Sequence, residues 1–540
     1  VRGQAHRSLG RELLFLPPLL FLLLAYFYPL LRMLQVSAQW GALTWPAHLG
    51  RLIGFTAGQA LLSTLLTLLL GLPGAAAFAR YEFPGRRWLG LLTGVPFVLP
   101  TVVVAAAFNA VLGPRSPLNA LLLTLGLPTL DLRYSLAAIL MAHVFYNLTL
   151  VIRIVGTFWA GLDERLVEAA RTLGASPLRA WVTVTLPLLL PALGAAALLT
   201  FIFCFTSFGV VLILGGPRFA TLEVEIYRQT VQYLNLAAAA VLALIQLGFT
   251  LALTLIYTRL QGRLTRPLDL RQAEGLRRHP RRGEALALYA YLTLLLAGIG
   301  LPLLTLVLRS LAEGGQYYLA LFENPRRSLF YVPPVTAVRN SLSLGLATTA
   351  LALLLGLPAA LALRQHQRGW LFDALLMLPL GTSAVTLGLG YLLSWNRPPL
   401  DLRGSPVLLG MAHTLVALPF VVRALLPALN AIRPALHEAA ATLGAPPGRV
   451  FWDVDLPLSW RALLVGALFA FTISLGEFSA TALLTRPDWP TIPIAIYRFL
   501  GLPGAANYGQ AMAMATLLIA VCVLVFIVSE GLRPPESTPL

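Results

Sequence analysis

The sequence predicts an all-α, polytopic membrane protein with about twelve transmembrane helices in two parallel six-helix repeats. Three observations point there. Of 540 residues, 58% are hydrophobic and 11% are charged, less than half of the roughly 25% charged in a soluble domain. The apolar residues run in segments of ~18 or more, the length at which a helix crosses a bilayer. The stretch from Met141 to Arg228 also recurs from Met411 to Arg498 without a gap, at an offset of 270 (411 − 141 = 270).

Taken in order, Arg2, His6, Arg7 and Arg11 precede an apolar run from Leu13. This has the layout of a signal peptide, with Val36-Ser37-Ala38 as a small-residue cleavage pattern. The run exceeds the ~7–15 residues of a cleaved apolar region, so a retained first span is expected. Spans in the first half are predicted at about 13–35, 55–79, 88–112, 135–157, 188–214 and 237–258. Those in the second half are predicted at about 286–309, 340–363, 371–394, 406–428, 462–485 and 508–530. Gly and Pro within them are tolerable where neighbouring helices satisfy the freed backbone groups.

Arginine sets the expected orientation. With the N-terminus inside, the inner loops carry Arg80, Arg86 and Arg87, then Arg165, Arg171 and Arg179, then Arg364 and Arg368, then Arg433 and Arg449. A linker at 259–285, rich in Arg, falls on the same side and reads as a solvated connector near lipid headgroups. The bias predicts that both termini are cytoplasmic. An even number of spans per half gives the halves the same orientation, a parallel repeat.

Composition also excludes activities. All 39 basic residues are Arg, so a phosphate-binding loop, which needs its Lys, is impossible and any ATP-driven work belongs to a partner. The net charge of +17 fits inner-face arginines meeting anionic membrane lipid rather than nucleic acid. Cys204 and Cys522 sit in apolar runs and give neither a disulfide framework nor metal spacing.

The repeat carries a polar loop twice. Glu168-Ala169-Ala170 and Gly174 return as Glu438-Ala439-Ala440 and Gly444, and Pro187 returns as Pro457. Leu162, Leu166, Ala169, Ala170 and Leu173 fall at helical spacing, as do Ile432, Leu436, Ala439, Ala440 and Leu443. Each set predicts a short amphipathic helix. Gly174 and Gly444 suit the left-handed residue at its C-terminus, and Ser176-Pro177 suits an N-cap followed by Pro at the first helical position. Helix, Gly turn, second helix and re-entry make a protruding knob; a membrane-surface helix is the plainer alternative.

E-A-A-R-T-L-G-A-S and E-A-A-A-T-L-G-A-P, each followed by L-P, resemble the E-A-A loop of permease subunits of binding-protein-dependent ABC importers. Two such domains fused in one chain resemble the ferric iron/thiamine importer permeases. The resemblance implies permease domains at 1–258 and 286–540, with coupling loops at 158–187 and 428–457. It implies that Glu168, Ala169, Ala170 and Gly174 dock one copy of a cytoplasmic ABC ATPase, and Glu438, Ala439, Ala440 and Gly444 another. ATP and Mg would be held by those ATPases, with no cofactor or metal on this chain. An extracytoplasmic substrate-binding protein would deliver the solute, and the chain would lie in a bacterial plasma (inner) membrane. S-L-G-E-F-S followed by P-T-I-P-I-A-I-Y-R leans toward the thiamine type over the ferric iron type.

Other residues are weighed beside this. Glu477 lies within a predicted span, where a carboxylate is costly and functional by default; Ser207 is its counterpart. Both are candidates for the translocation path, with an ion-paired Glu as the plainer alternative. Phe208 and Phe478 match across the halves and suit a gate or core packing. His143 and His413 also match, and interhelical hydrogen bonding suits them better than a catalytic or metal pair. T-L-E-V-E-I-Y-R and T-I-P-I-A-I-Y-R repeat on the expected outer side. They read as interfacial segments, with Tyr227, Arg228, Tyr497 and Arg498 as candidate binding-protein contacts. Two other classes remain: a secondary transporter, which would need coupling carboxylates in the spans, and an intramembrane enzyme built on His143 and His413.

Overall fold

The computed structural model describes residues 13–38, 49–114, 116–264, 277–323, 332–365, 369–397, 400–402 and 404–532. The basic N-terminal residues and positions 265–276 of the linker lie outside them. In the first half, α1 (Leu16–Ala38) and α2 (Leu49–Arg80) are followed by α3 (Arg86–Val98) and α4 (Thr101–Leu112). Next, α5 (Leu136–Ala160) leads to the short α6 (Glu164–Thr172), and α7 (Pro177–Phe205) leads to α8 (Gly209–Leu214). Last come α9 (Leu222–Val231) and α10 (Leu236–Leu264).

The second half repeats this order with α11 (Arg282–Ser310), α12 (Val335–Gln365), α13 (Leu371–Gly381) and α14 (Ala384–Ser394). It continues with α15 (Pro406–Asn430), α16 (Pro434–Thr442), α17 (Gly448–Gly476) and α18 (Ser479–Leu484), then α19 (Ile492–Leu500) and α20 (Ala505–Gly531). Among the described residues ten helices are long and apolar enough to cross a membrane, or twelve if each bent pair is one span. A two-residue ribbon, Asn396–Arg397 with Leu400–Asp401, is the only strand pairing outside one isolated bridge among them.

The predicted third and ninth spans are not straight. They bend by 105° between α3 and α4 and by 95° between α13 and α14. Pro100 forces the first bend: it sits extended as the N-cap of α4, and the residue before a proline is itself pushed out of the helical region. At the second, extended Ser383 caps α14 by accepting from the Thr386 amide. The predicted fifth and eleventh spans also break, at 206–208 and 477–478, so that α8 and α18 are separate helices.

The two halves are not separate bundles, because each half's first helix packs on the other. α1 lies against α14 and α12. Tyr26 Oη is 2.7 Å from Thr382 Oγ1, and Phe15 meets Phe372 edge-on at 4.3 Å. Conversely α11 packs on α4 and on α20, and Tyr291 Oη donates to the Leu70 carbonyl at 2.9 Å. In a bilayer, apolar area alone gives little drive for helix association, so close packing and such interhelical hydrogen bonds hold the arrangement.

Within each half the most extensive helix contact is α2 on α5, and α12 on α15. Gly71 and Gly356 permit it. A Cβ at Gly71 would meet Val151 at 2.7 Å, and one at Gly356 would meet Val421 at 2.6 Å.

The end of the linker is ordered rather than freely solvated. The Arg278 amide donates to the Arg80 carbonyl, its carbonyl accepts from Glu82, and its guanidinium pairs with Glu284. That pairing holds the Arg278 guanidinium charged more firmly than usual.

Candidate functional site

The two repeated loops form matched knobs. Asp163 caps α6 by accepting from the Arg165 amide. Both helices end on a left-handed glycine, Gly174 at φ 89° and Gly444 at φ 76°. In each, the next amide reaches back five residues: Ala175 donates to Ala170 and Ala445 to Ala440, both at 3.0 Å. That bond closes the helix end. Ser176 then accepts from the Arg179 amide, with Pro177 at the first helical position.

No residue of α6 or α16 is buried. Glu168, Ala169, Gly174, Glu438, Ala439 and Gly444 are exposed, and Ala170 and Ala440 are half-buried. Leu173 is 89% exposed and Leu443 87%, with Leu166, Leu178 and Leu436 also uncovered. Each knob therefore presents uncovered leucines on a polar loop.

Each knob is tied to a span end by an arginine. Arg80 Nε lies 3.7 Å from Glu164 at the start of α6. In the second half Asp455 Oδ1 accepts from Arg364 Nη1 at 2.9 Å and is 2.9 Å from His437 Nε2 on α16. Asp455 ends a π-helical turn, Phe451–Asp455, matched by Trp181–Thr185 in α7. Sequence reasoning counted Arg80 and Arg364 only as orientation signals. Their position at the last residues of long helices beside a repeated loop was the available clue.

The breaks in the fifth and eleventh spans turn Phe208 and Phe478 toward each other. The rings stack at 5.5 Å with 25° between planes. Tyr227 flanks Phe208 at 5.4 Å, and Tyr497 flanks Phe478 at 5.4 Å. The two phenylalanines are 2% and 1% exposed. Gly209 makes room for the stack, since a Cβ there would meet Thr101 at 2.6 Å and the Phe478 ring at 3.1 Å. Four rings, two from each half, therefore pack together.

This placement corrects the interfacial reading of the outer repeats. α9 and α19 are buried helices: Glu223, Val224, Ile226 and Tyr227, and Ile492, Ile494 and Ile496, are inside. They fold back into the bundle because the breaks at α8 and α18 redirect the chain. Buried Tyr227 offers no surface to a binding protein in this conformation. Arg228 is half-buried and donates to the Gly216 carbonyl at 3.1 Å; Tyr497 and Arg498 are half-buried.

Glu477 is buried and bonded within the protein. Its oxygens accept from the Ala480 and Thr481 amides at 2.9 and 3.1 Å and from the Thr481 hydroxyl at 2.7 Å, capping α18. His413 Nε2 stands 3.3 Å away. Ser207 Oγ is 2.9 Å from His143 Nε2, whose Nδ1 is 2.9 Å from Ser63 Oγ. His413 Nδ1 is 2.8 Å from Ser474 Oγ. Both histidines therefore tie helices together through hydroxyl and carboxylate partners, and among the described residues there is no metal-binding cluster.

The carboxylate that bridges the halves is one that sequence reasoning passed over. Glu223 accepts from Ser383 of the other half at 2.7 Å and from Gln246 at 2.6 Å. Its counterpart in the second half is Pro493 (493 − 223 = 270), so the polar latch is one-sided.

Residues 67–266 and 352–534 each match the family described as the binding-protein-dependent transport system inner membrane component. The chain belongs to that family. It is a multi-pass inner-membrane permease of an ABC importer rather than an enzyme, and it carries the family's domain twice. It is similar to proteins described as "Thiamine transport system permease protein ThiP". The one from Brucella suis is 28% identical over 497 residues, covering 91% of this chain and 89% of its own. Those from Escherichia coli and Haemophilus influenzae are 28% and 29% identical over 500 and 507 residues, covering 91% and 90% of this chain and 91% and 89% of their own. The aromatic stack and the exposed knobs of this permease thus lie inside the two matched segments.

Proposed function

We propose that this permease forms the translocation path of a thiamine importer and couples it to ATP hydrolysis by two copies of a separate ABC ATPase. The observation that carries the coupling is the pair of uncovered knobs. One ATPase seats on Glu168, Ala169, Ala170 and Gly174, and the other on Glu438, Ala439, Ala440 and Gly444. Both knobs and both termini then face the cytoplasm, and ATP and Mg stay on the ATPases.

The functional units are 1–258 and 286–540, joined at 259–285, with the first helix of each clasping the other. Closure of the ATPase pair pulls the knobs, Arg80 and the Arg364–Asp455–His437 link pass the movement to α2 and α12, and the Phe208–Phe478 stack parts. Rigid rocking of parallel repeats about a midline site is a recurring transport geometry. An extracytoplasmic binding protein presents the solute from the opposite side.

Thiamine rests on the relatives, which are similar over nine-tenths of both chains. Reconstitution with the ATPase and the binding protein tests this reading. Labelled thiamine should enter vesicles only with ATP on the ATPase side, and ferric iron should not enter. Uptake driven by an ion gradient without ATPase would instead establish a secondary transporter.

A further inference from the structure

A cleft of about 750 Å³ opens beside the first knob, between the ends of α2, α5 and α20 and the start of α3. Four arginines line it, Arg86, Arg87, Arg153 and Arg277, against one carboxylate, Glu530. Arg153 and Glu530 pair at 3.6 Å and are mostly buried. Arg86 donates one Nη2 bond to the Phe78 carbonyl at 2.9 Å. The buried Nε atoms of Arg86 and Arg277 have no hydrogen-bond partner among the described residues. Arg277 also lies near enough to Arg86 for the two like charges to repel. It is held there because Arg278, its neighbour, is bonded to the backbone at Arg80 and Glu82.

Converging guanidinium groups with unused donors are the recognition chemistry of a phosphate. In the second half Arg423, the counterpart of Arg153 (423 − 153 = 270), is instead paired with Asp373 at 2.9 Å. α3 carries no acidic residue at all. The rim of the first-half cleft is apolar and uncovered, with Trp88 75% and Ile527 57% exposed. Exposed Trp and Ile on a membrane permease suit acyl chains at the headgroup level.

We propose that this cleft binds the phosphate headgroup of an anionic phospholipid, with Arg86 and Arg277 as its principal donors and Trp88 and Ile527 beside the acyl chains. Because the cleft also includes Thr157 and Ala160, at the end of α5 just before the first knob, the bound lipid props the first coupling loop.

The test is native mass spectrometry of the full-length chain in detergent, titrated separately with dioleoylphosphatidylglycerol, dioleoylphosphatidylcholine and inorganic phosphate. Phosphatidylglycerol should bind at least tenfold more tightly than phosphatidylcholine. The double variant R86Q/R277Q should lose about thirtyfold, the contribution of two cationic side chains at an anionic lipid surface. R86K/R277K, which keeps the charge but removes the guanidinium donors, should bind more weakly than the parent and more tightly than R86Q/R277Q. R133Q, at the pair Arg133–Asp131 before α5, should leave binding unchanged. Equal affinity for the two lipids, or undiminished phosphatidylglycerol binding by a folded R86Q/R277Q chain, would overturn the proposal. Tighter binding of inorganic phosphate than of lipid would refute the headgroup as the occupant.

Discussion

Replacing Gly174 and Gly444 together by Val isolates the shape of the knobs from everything else in the chain. Neither position has a neighbour within 4 Å of a built Cβ, so no clash arises. The whole effect comes from φ values of 89° and 76°, which cost an L-residue roughly 1–2 kcal/mol each. The free loops relieve that strain by opening the turn and giving up the Ala175–Ala170 and Ala445–Ala440 bonds. A partner that needs the closed turn must restore it. The two glycines share no neighbour and their effects should add, so the double variant loses about 2–4 kcal/mol, or about 30- to 700-fold in affinity for the ATPase pair. Surface plasmon resonance of the ATPase on immobilised permease measures this. Asn tolerates the left-handed region, so G174N/G444N should keep most of the affinity, and G58A, in an open helical position, all of it. Unchanged ATPase affinity in folded G174V/G444V would refute the reasoning.

Other perturbations separate the remaining parts. The double variant F208A/F478A removes a ring pair that contributes about 0.5–1.5 kcal/mol beyond its buried area; ATP-independent thiamine leak from vesicles should rise roughly 2- to 13-fold by the same figure. Asp455→Asn weakens two bonds to a carboxylate, at about 1.5–3 kcal/mol for a charged hydrogen bond. The ATPase should still bind, while thiamine moved per ATP falls. Gly356→Val forces a side chain into Val421 and should lower folding stability by about 1–3 kcal/mol, read as a lower melting temperature in detergent.

Much of this was legible from residue order because the relevant signals are local. Helical spacing from Leu162 to Leu173 and the glycine after it specify a capped surface helix without any tertiary information. The apolar runs likewise specify spans. The bends at Pro100 and Ser383 were hidden because hydropathy sums over a window and is blind to backbone direction. Pro96 and Pro100 read as tolerable within a span, whereas only Pro100 starts a new helix. The burial of α9 and α19 was hidden for a related reason. Glu223 and Arg228 give α9 a polar look, and only the breaks at 206–208 and 477–478 show that the chain turns inward, where Ser383 and Gln246 satisfy the Glu223 carboxylate. Glu477 was legible as unusual but not as a cap, since its partners are the amides of the helix it starts. The exchange of first helices between halves leaves no local trace, because it is a matter of which equivalent groove α1 and α11 occupy.

The central claim is that two cytoplasmic knobs are the seats of the motor. Single cysteines at Leu173 and Leu443, with native Cys204 and Cys522 buried, allow a short bifunctional thiol reagent to test it in inverted membrane vesicles containing the ATPase. Each position should capture one ATPase subunit, and the chain carrying both cysteines should capture two. Absence of capture at both positions in an active transporter, or labelling of either cysteine by an impermeant maleimide only from the opposite face, would contradict the account.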